Sequence, residues 1–355
     1  MFKRNGLLGI FVLICVFGII LPSFSGCALF KQEKLYTFEF FDYFDTVSSF
    51  KIYGEKKEIE FVKKELEALL YEYDAFLDIY DTHGDTVNLY DVNREAKNGA
   101  IAIRKDLFDV LSFGKEMHAL TGGECNIALG SVISLWHTAR EVAIEDPAKA
   151  YIPSQDELDE ALKHTDISSV VLDPETLSVS ILDPQLYLDC GAIAKGYVAQ
   201  IVAQILDTHR FESYLINLGG NVLAKGIKDN GELWSAAIED ATKKSESGML
   251  CKLKLDSQTL VTSGSYQRFY TFNGKNYSHI VSQHDGMPPE TFISVSVLAP
   301  SDRSGTADAL STALFCMSLE DGKALVNSLE GIEALWVTPD GSKHTSAQFE
   351  VESWE

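Results

Sequence analysis

The chain has 355 residues, of which 46% are hydrophobic and 11% aromatic, enough apolar material for one large domain or two small ones. Its formal net charge of −22 disfavours nucleic acid as a partner, because an acidic surface repels a phosphate backbone. For the same reason, any bound polyphosphate requires a local positive charge from a metal ion or a lysine.

The first predicted element is an export signal. Lys3 and Arg4 precede a short apolar run over 6–21, and small residues stand directly before Cys27. This pattern is typical of a secretory signal and resembles the bacterial lipobox, which implies cleavage before Cys27 and its acylation with palmitate. A transmembrane anchor is the alternative, but the run is short for a span of about 20 apolar residues.

We therefore predict a lipoprotein signal peptide over 1–26, a lipidated tether over 27–36 and one folded domain over 37–355. The predicted location is the extracytoplasmic face of a membrane, either the cell membrane or an inner membrane that faces the periplasm. Four further cysteines are scattered without CxxC spacing, which does not suggest a zinc site. We expect buried thiols, although an export compartment permits disulfides: Cys125, Cys190, Cys251 and Cys316.

Hydrophobic periodicity after the tether predicts a continuous α+β domain without repeats or long linkers. Apolar residues at helical spacing predict helices over 55–80 and 104–120, and Ser154 with Glu157 forms a capping box that opens a third helix. Turn residues and alternating patterns predict the other elements: strands over 44–53, 169–172, 177–181, 186–190, 214–218, several between 234 and 280, 293–298 and 334–338, and helices over 192–208, 306–318 and 321–329.

The segment 188–196 carries the first pattern with chemical potential. Asp189 lies near the end of the predicted strand, small residues form the turn, and Lys195 lies in the first turn of the next helix. Free N–H groups and the positive end of the helix dipole suit an anion, and a bound phosphate would explain a lysine placed against that dipole. The alternative is an ordinary strand-to-helix turn with Lys195 in solvent.

A second polar pattern lies on the predicted helix 306–318. Asp308, Ser311 and Thr312 have i, i+3, i+4 spacing, so their oxygens share one helix face. A carboxylate with hydroxyl groups suits Mg²⁺, which completes its octahedron with water and phosphate oxygens. The alternative is a helix N-terminal aspartate with a threonine hydroxyl bonded back to the helix.

His279 stands in the motif Tyr-Ser-His-Ile and is a candidate general base or phosphate contact, since histidine titrates near neutral pH. A structural hydrogen bond is the alternative. Three aromatic residues are candidates for stacking on a flat ring or for the core, namely Phe44, Tyr80 and Trp136. The sequence contains no Walker A, GxGxxG, HExxH or GxSxG motif.

Together these segments resemble the ApbE family, the FAD:protein FMN transferases. Five blocks occur in the family's order across nearly the whole chain after the tether: FDTV at 44–47, GSVISLW at 130–136, LDCGAIAKG at 188–196, INLGGN at 216–221, and a last series with TSG at 262–264, YSHI at 277–280 and ADALSTA at 307–313. The resemblance implies a single α+β domain of mixed, mainly antiparallel sheets with packed helices and a central FAD cleft.

The resemblance also implies site residues. Mg²⁺ would be held by the Ala192 carbonyl, Asp308 and Thr312, with Ser311 nearby. Contacts with FAD, as substrate, are implied for a larger set: Phe44, Tyr80, Glu124, Cys125, Asn126, Asp189, Lys195 and Val281. The chain departs from the family at three places, with Phe44 for the usual Met, Asn126 for an Asp, and Val-Ser-Gln-His-Asp-Gly at 281–286 where Asp-Pro-x-x-Gly is usual.

The implied reaction moves FMN from FAD to a Thr or Ser hydroxyl of an exported or membrane flavoprotein and releases AMP. Mg²⁺, held by Asp308, and Lys195 would neutralise the diphosphate, and His279 or a nearby carboxylate would accept the hydroxyl proton. Two alternatives use the same pocket: a pyrophosphatase that splits FAD into FMN and AMP, and a non-catalytic FAD-binding lipoprotein. Retention of Asp308, Thr312 and Lys195 argues against the second alternative.

Overall fold

The computed structural model describes residues 33–354, so the predicted signal peptide and Cys27 lie outside the described residues. The fold is α+β, and a compact unit begins at Lys34. The strands in the described range are β1 (Lys34–Tyr43), β2 (Thr46–Gly54), β3 (Ile101–Ala102), β4 (Val170–Asp173), β5 (Ser178–Ile181), β6 (Tyr214–Leu218), β7 (Asn221–Lys225), β8 (Trp234–Glu239), β9 (Met249–Leu255), β10 (Gln258–Gly264), β11 (Phe269–Phe272), β12 (Lys275–Ser278), β13 (Ser294–Pro300), β14 (Glu333–Val337), β15 (Lys343–Thr345) and β16 (Ser353–Trp354).

The α-helices in the same range match most of the predicted ones. Ser154 caps the helix at Gln155 through the predicted capping box with Glu157. Over residues 33–354, none is long and apolar enough to cross a membrane. They are α1 (Lys56–Leu77), α2 (Leu89–Glu95), α3 (Lys105–Leu120), α4 (Gly130–Glu145), α5 (Gln155–Leu162), α6 (Ala194–Thr208), α7 (Ser304–Cys316) and α8 (Leu319–Asn327).

The main sheet has eight strands in the order β1-β2-β6-β7-β10-β13-β14-β15, all paired antiparallel. Alternation along β14 shows how its two faces are covered. Ala334 and Trp336 pack with the cores of α7 and α8, whereas Leu335 and Val337 pack with β8 and β9. Because successive side chains of a strand point to opposite faces, a continuous apolar strand is buried on both sides.

Around α6, a second core joins helices and the first strands. The stripe on α1 includes Ile59, Val62 and Leu66 at helical spacing, and Val198 and Val202 of α6 belong to the same cluster. This packing fixes the direction in which α6 runs, and therefore where its N-terminus meets α7.

The structure contradicts one predicted element and adds others. The predicted strand 186–190 is wrong: only an isolated bridge joins Tyr187 to Leu129, and the amide of Asn93 satisfies both backbone groups of Leu188 at 2.7 and 2.9 Å. The side chain replaces the neighbouring strand that a ladder needs. Sequence reasoning missed β1, which begins inside the predicted tether, and also α2 and α4. The four described cysteines are unpaired, as expected.

Candidate functional site

Asp308 lies where α6 and α7 cross. Its Oδ2 accepts a hydrogen bond of 2.7 Å from the backbone N–H of Gly196. A Cβ at position 196 would lie 2.4 Å from the Ser304 carbonyl oxygen and 2.5 Å from the Asp308 Cβ, so only glycine permits this approach. The structure therefore brings the carboxylate at 308 to the first turn of α6, which also contains Lys195.

The Asp308 carboxylate has little contact with solvent, since the residue is 4% exposed. Desolvation raises its pKa, while Lys195 and the Gly196 N–H oppose that rise. Asn221 also lowers this pKa, although its buried Nδ2 makes no hydrogen bond of normal geometry. A desolvated carboxylate of this kind is stabilised by a cation beside it.

Hydroxyl groups continue from Asp308 along α7. Ser311 donates to the Asp308 carbonyl oxygen at 2.9 Å, and its Oγ lies 2.7 Å from the Oγ of Ser263 on β10. The Ser263 Oγ also lies 3.4 Å from the Oγ1 of Thr312. Within 33–354 no three His, Cys, Asp or Glu side chains cluster as metal ligands. One carboxylate with hydroxyl oxygens and a turn carbonyl nonetheless fits Mg²⁺, which uses few carboxylates.

The turn before α6 and the first turn of that helix carry three more predicted site residues, Asp189, Ala192 and Lys195. The Asp189 Oδ1 accepts from the Gly191 N–H at 2.7 Å, which shapes the turn that contains Ala192. Desolvation raises the pKa of Asp189, opposed by the Gly191 N–H, His137 and Lys195. Lys195 is half-buried and makes no direct ion pair in the described part of the chain, although its charge acts on the carboxylates of both Asp189 and Asp308.

His279 follows β12 directly. Its Nδ1 lies 3.1 Å from the carbonyl oxygen of Arg268, so Nδ1 must donate and Nε2 keeps its lone pair. His279 is exposed to solvent, yet desolvation by the surrounding protein, together with the charges of Lys195, Arg268 and Arg140, lowers its pKa to about 4, and the hydrogen bond to Arg268 opposes that shift. The imidazole is therefore neutral at pH 7 and can accept a proton at Nε2.

The three aromatic candidates differ in exposure: Tyr80 is exposed, Phe44 is half-buried against the core, and Trp136 is buried. Phe44 lies in the turn between β1 and β2 with φ of 55°, held by a 2.7 Å bond from its N–H to Asp74. Tyr80 is 56% exposed, and its ring centroid lies 5.0 Å from that of His137. Trp136 instead belongs to the core, where it stacks with aromatic neighbours and donates to the Gly286 carbonyl.

The side chains of segment 124–126 are mostly engaged within the protein, which leaves few of their atoms for a ligand. The Asn126 amide is used within the protein, by the Thr165 carbonyl oxygen and the Ala128 N–H, and Cys125 is buried. Glu124 pairs through Oε1 with His284 at 2.7 Å, while its Oε2 is buried without a partner.

Val281 is buried beside Trp136 and accepts a weak bond from the Cys316 thiol through its carbonyl. Sequence reasoning missed several residues of this region: Ser263, Arg268, His137, Arg140 and His284. Ser263 stands inside a quoted block and Arg268 four residues after it, which was the available signal. His284 stands inside the quoted segment 281–286, and His137 directly follows the block 130–136, whereas Arg140 lies outside every quoted segment.

Comparisons with known proteins identify the family of the chain. The model of the ApbE family matches residues 44–336. The chain is 33% identical over 280 residues to the FAD:protein FMN transferase of Treponema pallidum, covering 74% of each chain. It is 29% identical over 249 residues to that of Klebsiella pneumoniae, covering 70% of this chain and 74% of the relative.

Solved structures share the fold. The ApbE protein of Thermotoga maritima superposes with a TM-score of 0.77 at 23% identity, covering 88% of this chain and 97% of the other. The flavin transferase ApbE of Vibrio cholerae gives a TM-score of 0.74 at 24% identity, covering 89% and 99%. At these identities the superpositions establish the α+β fold and its single-domain architecture.

Proposed function

The chain belongs to the ApbE family, and from this premise we propose that it transfers FMN from FAD to a Thr or Ser hydroxyl of a protein, with Mg²⁺ held at Asp308. The observation that carries the proposal is the 2.7 Å contact between the Asp308 carboxylate and the first turn of α6. It joins a metal-competent carboxylate to a helix N-terminus, which is a favourable place for a phosphate.

The chain's own donors for the metal would be the Asp308 carboxylate, the Thr312 hydroxyl and the Ala192 carbonyl, with Ser311 behind them. Ser311 already bonds to Ser263 and to the α7 backbone, so it supports the helix face. Bound there, Mg²⁺ supplies Lewis-acid stabilisation of negative charge on the diphosphate.

The remaining residues bind the substrate and move one proton. Lys195 would face the diphosphate, and Phe44 and Tyr80 would stack on the ring systems of FAD. The Nε2 of His279 would accept the proton of the acceptor hydroxyl as its oxygen bonds to the FMN phosphorus. The bond from that phosphorus to the bridging oxygen breaks, and AMP departs with the bridging oxygen and its electron pair.

The test incubates the purified chain with FAD, Mg²⁺ and an exported flavoprotein that carries a candidate Thr or Ser. Covalent flavin on the acceptor, seen by in-gel fluorescence and a mass increase equal to FMN minus water, supports transfer. Free FMN and AMP without labelled acceptor would instead identify a pyrophosphatase, and unchanged FAD would identify a binding protein. Addition of EDTA should stop the labelling.

We also propose that Cys27 carries lipid and holds the domain on the extracytoplasmic membrane face. The sequence pattern before Cys27 supports this, and β1 begins only seven residues later, at Lys34. An anchor there would keep the enzyme beside membrane flavoproteins. Cys27→Ser should move the protein from the membrane to the soluble fraction and abolish palmitate labelling, and membrane retention without label would contradict the proposal.

A further inference from the structure

Two arginines, in a chain whose net charge is −22, lie beside residues that the proposed function places against FAD or its reacting phosphate. Arg140 contacts His137 next to Tyr80, and the Arg268 carbonyl oxygen accepts from the His279 ring. Lys195, Arg268 and Arg140 all lower the pKa of His279, and they come from α6, from the segment between β10 and β11, and from α4. Positive charges that act on the same site repel one another, and a bound anion there would offset that repulsion. We call these three residues the cationic collar.

Arg140 is held toward the site by a fixed contact. Its Nη2 lies 3.0 Å from Nδ1 of His137, one turn earlier on α4, and His137 packs against Tyr80 at 5.0 Å between ring centroids. The guanidinium cannot accept a hydrogen bond, so it donates and His137 is the acceptor at Nδ1. The Arg140 side chain is only 22% exposed.

Arg268 is held from the opposite side. Its Nη2 donates to the Asp45 carbonyl oxygen at 3.3 Å, and its own carbonyl oxygen accepts from the His279 ring at 3.1 Å. The residue therefore links the turn that carries Phe44 to His279.

Among residues 33–354, neither arginine forms an ion pair with a buried carboxylate. The nearest acidic partner of Arg140 is the adjacent Glu141 at 3.3 Å, which is 51% exposed, and that of Arg268 is Asp45 at 3.8 Å, which is 88% exposed. Exposed pairs of this kind contribute little free energy and leave much of the positive field intact. The two arginines of the collar therefore retain charge for an external anion, whereas Lys195 already faces the carboxylates of Asp189 and Asp308.

We propose that Arg140 and Arg268 are substrate-binding residues that, with Lys195, hold the phosphate groups of the dinucleotide opposite Asp308. This inference rests on the proposed function. It adds two residues that no block of the family resemblance assigns. It also explains the position of His137, which packs against the Tyr80 ring and accepts a hydrogen bond from Arg140.

The experiment measures equilibrium dissociation constants in EDTA without acceptor, for FAD, ADP and riboflavin. Arg140→Gln should weaken FAD and ADP about tenfold and leave riboflavin unchanged, because riboflavin has no phosphate. Arg268→Gln should weaken the same two ligands about threefold, since its side chain is more exposed. Arg140→Lys should recover most of the loss, and salt should weaken FAD but not riboflavin.

Arg210→Gln is the matched control, because Arg210 is an exposed arginine beyond the opposite end of α6. Equal losses for riboflavin, or unchanged FAD affinity in both variants, would overturn the inference. Normal FAD affinity with a raised KM for the acceptor would also overturn it and assign the collar to the acceptor protein. Failure of the wild type to bind FAD both in EDTA and after Mg²⁺ is restored would instead remove the proposed function itself.

Discussion

The two sides of the site are built in different ways. At the crossing of α6 and α7, backbone meets side chain in a buried contact: Gly196 donates to Asp308, and no larger residue fits. At the turn between β1 and β2, Phe44 and Asp45 both have positive φ, 55° and 51°, and an exposed arginine holds the turn.

The difference suggests that the α6–α7 crossing serves the reaction and that the β1–β2 turn serves substrate recognition. The crossing has no freedom to change, because close packing and a desolvated carboxylate leave one arrangement. The turn can vary, since exposed contacts contribute little and strain at two non-glycine residues is tolerated. Phe44, one of the three departures from the family pattern, lies on this variable side. Substitutions at the crossing should therefore cost the most.

Asp308→Asn should remove the negative charge at the α6–α7 crossing and keep the packing of the two helices. We expect transfer to fall about 10³-fold, because the charge that holds the cation is lost. The metal-free variant should be at least as stable as the wild type, since the raised pKa means that the charged carboxylate opposes folding.

Thermal unfolding in EDTA measures this stability. Because the folded pKa of Asp308 is raised, the wild type should gain stability from this group as pH falls and lose it as pH rises through that pKa. Mg²⁺ should raise the Tm of the wild type but not of the variant. A variant with full activity would rule out Asp308 as the metal ligand.

His279→Gln tests the region between the two sides, with an expected loss of about 10²-fold in transfer rate. The neutral imidazole is the active form, and its pKa is lowered to about 4. The wild-type rate should therefore persist well below pH 6.5 and fall only as the pH approaches about 4. A pH profile of kcat/KM checks this, and an acid limb centred near 6.5 would contradict it.

Gly196→Ala tests the packing of the crossing itself. The added Cβ would meet the Ser304 carbonyl oxygen at 2.4 Å, so the helices must separate. We expect the free energy of unfolding to fall by about 2 kcal/mol, with transfer reduced at least tenfold as Asp308 shifts. Chemical denaturation measures the loss, and Gln204→Ala, on the exposed face of the same helix, is the control.

Asp45→Gly should show the smallest effect and the opposite sign in stability. Relief of the positive φ should raise the free energy of unfolding by about 1 kcal/mol, while loss of the Arg268 ion pair should raise the KM for FAD less than about fivefold. Asn273→Gly relieves a positive φ at the tip of the β11–β12 hairpin. It does not alter the Arg268–Asp45 ion pair, so it should leave the KM for FAD unchanged. A large loss of activity in Asp45→Gly would show that this turn is as rigid as the crossing.

Periodicity and capping were sufficient for several elements, among them the helices α6 and α7. The capping box at Ser154 and the strand Tyr214–Leu218 are observed where the sequence predicts them. The failure at 186–190 has a physical cause, because an apolar run cannot reveal that a side chain, Asn93, will satisfy its backbone. The spacing of Asp308, Ser311 and Thr312 predicted a shared helix face, which α7 provides.

The sequence by itself determined the α+β class, the helix that carries Asp308 and the turn that precedes Lys195, because these follow from local spacing along the chain. Tertiary structure alone decided that position 196 must be glycine, that Arg268 bonds to the Asp45 carbonyl oxygen, and that backbone groups satisfy the Asn126 amide. These facts depend on contacts between residues far apart in the chain, which no local pattern encodes.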